Sequence, residues 1–158
     1  MSPDLAERAS AGPVYFDDLE VGDTWRTGSR TITEADIVAF AGVSGDFNPI
    51  HVDAGYAAST PFGERIAHGA LVLAIATGLR QQEGRFRGTL KAWLGMREWR
   101  FKAPVRMGDT ITVLNRVAER NPAKDAADGL LVQDVEVRNQ RDEVVAVGQF
   151  ITLMKRRG

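Results

Sequence analysis

The spacing of apolar and polar residues divides the chain into a helical first half and a strand-rich second half. Between residues 37 and 41 the apolar positions supply one face of a helix, and between residues 69 and 79 almost every position is apolar. After Gly88 the pattern changes, and apolar and charged residues alternate, as in residues 99–103. We therefore predict a short N-terminal strand, helical insertions and then four or five antiparallel strands.

The first part of the chain predicts a tail, a strand and a capped helix. We expect residues 1–12 to be a flexible tail and residues 13–158 to form a single domain. Residues 24–31 are rich in Thr and predict a strand. Thr33 and Asp36 have the spacing of a helix N-cap, so a helix should begin there and end within residues 42–45. The stretch that follows is then a loop, and Asp53 is placed to cap a further short helix.

Residues 66–82 predict a helix that is buried on all sides. The run from Gly69 to Leu79 contains one polar residue, Thr77, and a helix without a polar face needs cover all round. We expect the polar run Arg80-Gln81-Gln82-Glu83-Gly84 to mark the point where this helix emerges into solvent. A single helix covered all round needs a sheet curled about it, which predicts an α+β hotdog fold.

The strand predictions cover most of the second half of the chain. Strands are expected at residues 99–103, 110–118, 130–138 and 144–153, and a polar loop is expected at residues 121–129. The last two strands should form a hairpin around residues 139–142. The start of the final strand is apolar on both faces, which favours an interior position in the sheet.

Composition excludes several classes of function. The chain has 20 Lys and Arg against 21 Asp and Glu, which argues against a nucleic-acid partner bound through its phosphates. Without Cys there can be no disulfide, Cys-ligated zinc or thiolate catalysis. The N-terminal residues show no export signal, and the longest apolar run is about half of the ~20 residues that span a bilayer. We expect a cytoplasmic protein without a membrane partner.

The densest group of reactive side chains lies at residues 43–51. Asp46 and His51 are close enough in sequence to converge on one water and to transfer protons in both directions, and Asn48 could orient either of them. The alternative is an ordinary turn, because Asp and Asn often bond to their own backbone. One His and one Asp are too few ligands to predict a metal site, and no Ser, Thr or Cys stands in an obvious nucleophile position.

A second candidate feature is the start of the apolar helix at His68 and Gly69. The first amides of a helix lack intrahelical partners, so they can stabilise negative charge on a carbonyl oxygen, and Gly69 has no side chain to block the approach. The alternative is that Gly69 is small only for packing, and for His68 we favour capping or packing over catalysis. Thr77 either bonds back to a helix carbonyl or reaches the site.

Two motifs resemble those of the MaoC-like dehydratases, the (R)-specific enoyl-CoA hydratases. The first is Ser44-Gly45-Asp46-x-Asn48-Pro49-Ile50-His51, and the second is Ala67-His68-Gly69-Ala70-Leu71. Residues 16–23 and 101–110 are also similar to segments of that family, so the likeness covers nearly the whole chain after residue 14.

The resemblance implies a hotdog homodimer, sometimes assembled further, that adds water reversibly and syn to a trans-2-enoyl thioester. It implies that Asp46 and His51 hold and activate the water and that the Gly69 amide binds the thioester carbonyl. Thr77 stands where relatives often have Ser, and with Ser44 and Asn48 it would support the site. No metal and no cofactor are implied beyond coenzyme A as part of the substrate.

Two other functions remain open from the sequence. A hotdog acyl-CoA thioesterase would bind the same kind of thioester, but it typically uses a carboxylate on or near the central helix, and residues 66–79 contain none. A non-catalytic hotdog subunit that binds acyl thioesters would not need the complete set of Asp46, Asn48 and His51.

Overall fold

One five-stranded antiparallel sheet forms the body of the protein. The computed structural model describes residues 12–158, so the predicted tail lies outside it except for Gly12. The strands are β1 (Thr24–Thr31), β2 (Leu90–Phe101), β3 (Thr110–Pro122), β4 (Asp128–Arg138) and β5 (Val144–Lys155). Their order across the sheet is β1-β3-β4-β5-β2.

Four α-helices lie between β1 and β2. They are α1 (Glu34–Ser44), α2 (Pro49–Val52), α3 (Ala54–Ala58) and α4 (Gly69–Gln82), and a short 3-10 turn, Phe16–Asp18, precedes β1. The sheet curves around α4, whose Val72, Ile75 and Ala76 share one buried cluster with Val113 of β3 and Phe150 of β5. This arrangement confirms the predicted α+β hotdog fold.

The prediction that α4 is buried on all sides is wrong for the single chain. Ala70, Ala74 and Gly78 recur every four residues and form an exposed stripe along the helix. The expected exit to solvent is found at Gln81, Gln82 and Glu83, which are exposed, but it does not include Arg80, which is only 5% exposed. Across the described residues, no helix is long and apolar enough to cross a membrane.

The later strands are longer than their sequence pattern predicted. β3 continues to Pro122 and β4 begins at Asp128, so the polar loop between them is shorter than expected. The predicted hairpin of β4 and β5 is confirmed. β5 lies between β4 and β2, which confirms its interior position, and β2 forms one edge of the sheet.

The segment from α1 to α3 is held by local caps. Thr33 and Asp36 form the predicted capping box at the start of α1, and Asp53 caps α3 through the backbone N–H of Tyr56. The prediction that residues 43–51 form one continuous loop is wrong in part. Pro49 opens α2 at a position where its missing N–H leaves no hydrogen bond unmade, and His51 therefore lies on a helix.

Candidate active site

The carboxylate of Asp46 is held by the turn that follows α1. Gly45 ends α1 with a φ of 76°, a conformation that suits glycine. The backbone N–H of Asp46 then donates to Ser44 Oγ at 3.1 Å, and the Ser44 hydroxyl donates to the carbonyl of Phe40 at 2.7 Å. The backbone N–H of Asn48 donates to Asp46 Oδ1 at 3.1 Å, which leaves Oδ2 free to face elsewhere.

His51 is fixed by a carbonyl from a distant part of the chain. The side chain of Asn48 caps α2 by accepting from Ile50 N at 3.1 Å, which sets the direction of this short helix. His51 Nδ1 lies 2.8 Å from the carbonyl oxygen of Ile66. Because a carbonyl oxygen can only accept, Nδ1 carries a proton, and in the neutral tautomer the lone pair lies at Nε2.

The two reactive groups face each other across a gap that suits one water. His51 Nε2 and Asp46 Oδ2 are 4.0 Å apart, too far for a direct hydrogen bond. A water can bond to both atoms at this separation. The Asp46 side chain is 52% exposed and that of His51 is 12% exposed, so the carboxylate is open to solvent while the imidazole is held by the protein.

His68 lies directly behind this pair. Its ring stacks on that of His51, with centroids 3.7 Å apart and an angle of 27° between the planes, and the Phe40 ring lies 5.0 Å away. His68 Nε2 donates to the carbonyl oxygen of Asp46 at 2.9 Å. His68 is 2% exposed, and its Nδ1 has no hydrogen-bond partner among the described residues. The structure therefore supports a packing and positioning role for His68.

The same three residues could in principle offer ligands to a metal. One ligand atom of each of Asp46, His51 and His68 lies within 4.8 Å of the others. However, imidazole lone pairs lie in the ring plane, and two stacked rings point them along nearly parallel planes. A single ion could not meet both rings in a normal geometry, so this arrangement is unsuited to a metal centre.

Gly69 is the first residue of α4, and no side chain caps this end of the helix. His68 occupies the N-cap position but makes no side-chain capping bond, so the first amides of the helix are left for another acceptor. The ring of Phe101 lies over Gly69, and a Cβ at this position would meet Phe101 Cζ at 2.6 Å. A side chain at this position would therefore require the exposed Phe101 ring or the backbone around it to move.

Most of the predicted site residues are brought together, and Thr77 is placed apart. Asp46, His51, Ser44 and Asn48 form the group described above. Thr77 lies two turns beyond Gly69, roughly 12 Å along the helix axis. Its hydroxyl donates to Ala74 O at 2.7 Å, as expected for a Thr that bonds back to its own helix.

Sequence reasoning missed a second polar group near α4. Arg80 donates a hydrogen bond to the Gln133 side chain of β4, and both residues are buried. A helical-face plot could have found Arg80, because it lies eleven residues after Gly69 and therefore on the same face of α4. Gln133 could not have been found in this way, since only the folded sheet brings it to the helix.

A large groove lies elsewhere on the protein. It measures about 1210 Å³ and is lined by residues of all five strands, among them Arg26, Arg116 and Glu136. None of the predicted site residues contributes to it, so its size alone does not make it the candidate site.

Comparison with known proteins finds one consistent set of similarities. A family model described as "MaoC like domain" matches residues 18–140. The chain is 40% identical over 114 residues to a 3-hydroxybutyryl-CoA dehydratase from Methylorubrum extorquens, covering 72% of this chain and 70% of that protein. It is 39% identical over 110 residues to an (R)-specific enoyl-CoA hydratase from Rhodospirillum rubrum, covering 70% of this chain and 74% of that one.

Similarity to solved structures extends over nearly the whole chain. A structure described as a monoamine oxidase regulatory protein from Archaeoglobus fulgius superposes with a TM-score of 0.85 at 36% sequence identity. The match covers 92% of this chain and 97% of that chain.

Proposed function

This chain belongs to the family of MaoC-like domain proteins, and on that basis we propose that it hydrates a trans-2-enoyl thioester reversibly, giving an (R)-3-hydroxyacyl thioester. This makes it a hydro-lyase. Support comes from two relatives at about 40% identity, whose names describe a 3-hydroxybutyryl-CoA dehydratase and an (R)-specific enoyl-CoA hydratase. We propose coenzyme A as the carrier of the acyl group for the same reason.

The observation that carries the proposal is the gap between Asp46 and His51. The lone pair of His51 Nε2 and the free oxygen of Asp46 lie 4.0 Å apart, so one water can bond to both. A general base needs to lie within hydrogen-bond reach of the proton that it removes. A bridging water in this gap meets that condition without any movement of the protein.

In the proposed reaction the bridging water supplies both groups that are added, a hydroxyl at C3 and a hydrogen at C2. His51 Nε2 takes a proton from the water as its oxygen bonds to C3 of the enoyl group, and Asp46 orients the water. A proton reaches C2 from the Asp46 and His51 pair on the same face, which makes the addition syn. The water adds as hydroxyl and hydrogen, with no net oxidation, so the reaction needs no oxidant or reductant.

Negative charge develops on the thioester oxygen as C3 is attacked. We propose that the backbone N–H of Gly69 stabilises this enolate oxygen, because the first amides of α4 have no side-chain cap. Ser44 and Asn48 keep the carboxylate in place through the hydrogen bonds described above. Thr77 is proposed as a secondary contact to the acyl group.

A thioesterase is the main enzymatic alternative. It would also bind an acyl thioester at a helix N-terminus, but it typically needs a carboxylate on or near that helix. The sequence of α4 from Gly69 to Gln82 contains no Asp or Glu. Hydration is therefore better supported than hydrolysis.

We propose that two copies of the chain associate through β2. This strand is twelve residues long, lies at an edge of the sheet and is paired only with β5 among the described residues. It carries exposed Trp93, Leu94 and Met96, and an open apolar edge favours pairing with another strand. Light scattering should give twice the mass of the chain, and Leu94→Lys should lower it.

Absorbance of the enoyl-thioester band tests the proposed function directly. Crotonyl-CoA mixed with the enzyme should lose this absorbance as the double bond is hydrated, and Asp46→Asn should nearly prevent the loss. A separate assay should follow the release of free thiol from a saturated acyl-CoA. Rapid thiol release without hydration would identify a thioesterase, and binding of crotonyl-CoA without either reaction would identify a non-catalytic subunit.

A further inference from the structure

The groove of about 1210 Å³ takes no part in the proposed reaction, and it lies on the face of the sheet that points away from α4. One row of side chains crosses this outer face through β1, β3, β4, β5 and β2 in turn. The row consists of Arg26, Leu114, Glu136, Val147 and Arg100. Val113 and Val135 alternate with members of this row along β3 and β4, and both belong to the buried cluster around α4. The groove is therefore a surface feature separate from the core.

The charge of the groove differs from the charge of the chain as a whole. Six Lys and Arg residues line the groove against three Asp and Glu residues, whereas the whole chain has 20 basic and 21 acidic residues. A sheet face that is merely solvated would carry the two signs in the same near-equal numbers as the chain. A cleft lined mainly by one sign of charge concentrates ions of the other sign. The groove is therefore suited to an anionic ligand.

The acidic residues in the middle of the groove are already engaged. Asp134 accepts a hydrogen bond from Gln149 Nε2 at 2.9 Å and lies 3.8 Å from a guanidinium nitrogen of Arg116. Glu136 accepts a hydrogen bond from Arg138. These contacts offset the negative charge of β4 locally, so the carboxylates do not neutralise the cations at the two ends of the groove.

The cations at the β2 end are the ones most available to a ligand. Arg100 lies 3.9 Å from Glu98, but their side chains are 65% and 81% exposed, and such a pair is weak. Lys102 is exposed and forms no ion pair among the described residues. Both residues line the groove. Guanidinium and ammonium groups in this state are well suited to bind phosphate oxygens.

The floor of the groove adds an apolar surface to this charge. Leu114 and Val147 are half-buried and lie on the two sides of β4, in the row that ends at Arg26 and Arg100. A flat ring can pack on such aliphatic side chains, and a guanidinium can stack on the ring. A ligand that carries both phosphates and an aromatic base fits this combination better than a simple anion does.

The β2 end of the groove lies next to the proposed reaction centre. Phe101, the last residue of β2, places its ring over Gly69, and its chain neighbours Arg100 and Lys102 line the groove. Phe101 is 53% exposed, so the route from Gly69 around the end of β2 runs over the surface and not through the core. The Phe101 ring, one Cα step of about 3.8 Å and an extended Arg or Lys side chain give a span on the order of 15 Å.

We propose that this groove binds the phosphorylated nucleotide end of coenzyme A, with Arg100 and Lys102 as phosphate contacts. The proposal rests on the proposed hydratase function and assigns the site that holds the carrier of the acyl group. The pantetheine arm has about 13 bonds between its sulfur and the first phosphorus, roughly 16 Å at about 1.2 Å per bond when extended. That length matches the span from Gly69 to the groove. The adenine ring then packs on Leu114 and Val147.

The first test compares three substrates that share the enoyl group and the pantetheine arm. They are crotonyl-CoA, crotonyl-3′-dephospho-CoA and crotonyl-pantetheine, which differ in the phosphates that they carry. The wild-type enzyme should favour crotonyl-CoA over crotonyl-pantetheine in kcat/KM by about tenfold or more, with the dephospho compound between them. Raising the ionic strength from about 0.05 M to about 0.5 M should reduce this preference, because salt screens exposed charges.

The second test locates the contacts. Arg100→Gln and Lys102→Gln should each lower the preference for crotonyl-CoA over crotonyl-pantetheine by about threefold or more, since each removes one cation that only the phosphates use. Arg87→Gln is the matched control, because Arg87 is an exposed arginine that does not line the groove, and it should keep the wild-type preference. A preference that survives in both Arg100→Gln and Lys102→Gln would overturn the proposal, and so would a wild-type enzyme that does not distinguish the substrates.

The identity of the carrier is decided by the same assay. Crotonyl-acyl carrier protein presents the enoyl group on the same arm but without the nucleotide. If its kcat/KM exceeds that of crotonyl-CoA, the groove does not serve a nucleotide and the proposal fails. A lower value supports the assignment of the groove to coenzyme A.

Binding of a nucleotide without an acyl group separates this proposal from the proposed function. Adenosine 3′,5′-bisphosphate should bind to the wild-type protein in calorimetry and bind about threefold or more weakly to Arg100→Gln. This measurement stands even if no enoyl thioester is hydrated. Failure of the nucleotide to bind, or equal affinity for the two proteins, would overturn the inference and leave hydration of crotonyl-CoA as a separate result.

Discussion

The two ends of α4 hold polar side chains in opposite ways. At its N-terminus, Asp46 is half exposed and His51 presents a free nitrogen toward it, and hydrogen bonds to nearby atoms hold both groups. At its C-terminal end, Arg80 and Gln133 are buried, and Arg80 Nε has no hydrogen-bond partner among the described residues. One end is open to solvent and the other is packed away from it, which is the division expected between the proposed reaction centre and the interior of the fold.

The largest expected effect comes from the water-handling end. Asp46→Asn and His51→Ala should each lower kcat for crotonyl-CoA hydration by about 10²–10⁴-fold, the usual contribution of general acid–base groups. Stopped assays of the purified, folded variants measure this. Asp53→Asn is a matched control, because Asn can still cap α3 and the residue makes no contact with the bridging gap. Near-normal turnover in Asp46→Asn would contradict the assignment.

Gly69 should show the next largest effect. In Gly69→Ala the new methyl group would meet the Phe101 ring at 2.6 Å, so that ring, the start of α4 or the end of β2 must shift. We expect a fall of about 10²-fold in kcat, similar to the loss of one oxyanion donor. Adding Phe101→Leu should restore part of the activity by making room for the methyl group. A double variant no better than Gly69→Ala would show that the clash is not the cause.

His68 should have a smaller effect that separates its two contacts. His68→Phe keeps a ring against His51 but loses the hydrogen bond to Asp46 O, whereas His68→Gln keeps a donor but loses the ring. Each should lower kcat by about tenfold with little change in KM, because a misplaced base affects the chemical step rather than binding. If KM rises while kcat is unchanged, His68 contributes to binding and not to positioning.

The smallest effect concerns stability at the buried end. Arg80→Met should lower the free energy of unfolding by about 1–3 kcal/mol, because it leaves the buried Gln133 oxygen without a donor. The double variant Arg80→Met with Gln133→Leu should recover most of that loss, since it removes both polar partners. Urea unfolding of the three proteins measures this. A double variant less stable than the single one would contradict this interpretation of the pair.

The sequence predicted the parts of the site that depend on short-range contacts. The caps formed by Thr33 and Asp53 each involve residues three positions apart, so side-chain type and spacing were enough to identify them. The pairing of Asp46 with His51 was predicted from their spacing and from the family resemblance. The hydrogen bond between His51 Nδ1 and the carbonyl oxygen of Ile66 could not be predicted. Ile66 is positioned by its backbone hydrogen bond to Ile50 and by its bridge to Arg106, and both contacts form only in the folded chain.

The rest of the site depends on contacts between distant residues. The position of Phe101 over Gly69 and the hydrogen bond between Arg80 and Gln133 follow from strand order, which the alternation of apolar residues does not specify. The exposed stripe of Ala70, Ala74 and Gly78 was missed for another reason. An apolar pattern predicts that a surface will be buried, but it does not predict whether residues of the same chain bury it. The cytoplasmic location stays a prediction.

The place of β2 in the sheet has a consequence for the order of folding. β2 precedes β3, β4 and β5 in the chain, yet its partner is β5, and Leu90 pairs with Met154. During synthesis β2 must wait for the last strand to emerge, and contacts between such distant residues form slowly. Phe101 reaches its place over Gly69 only when that pairing is made. The contact between Phe101 and Gly69 should therefore be among the last parts of the protein to form, and loss of the final strand should abolish it while leaving the hydrogen bonds of the Asp46 turn able to form.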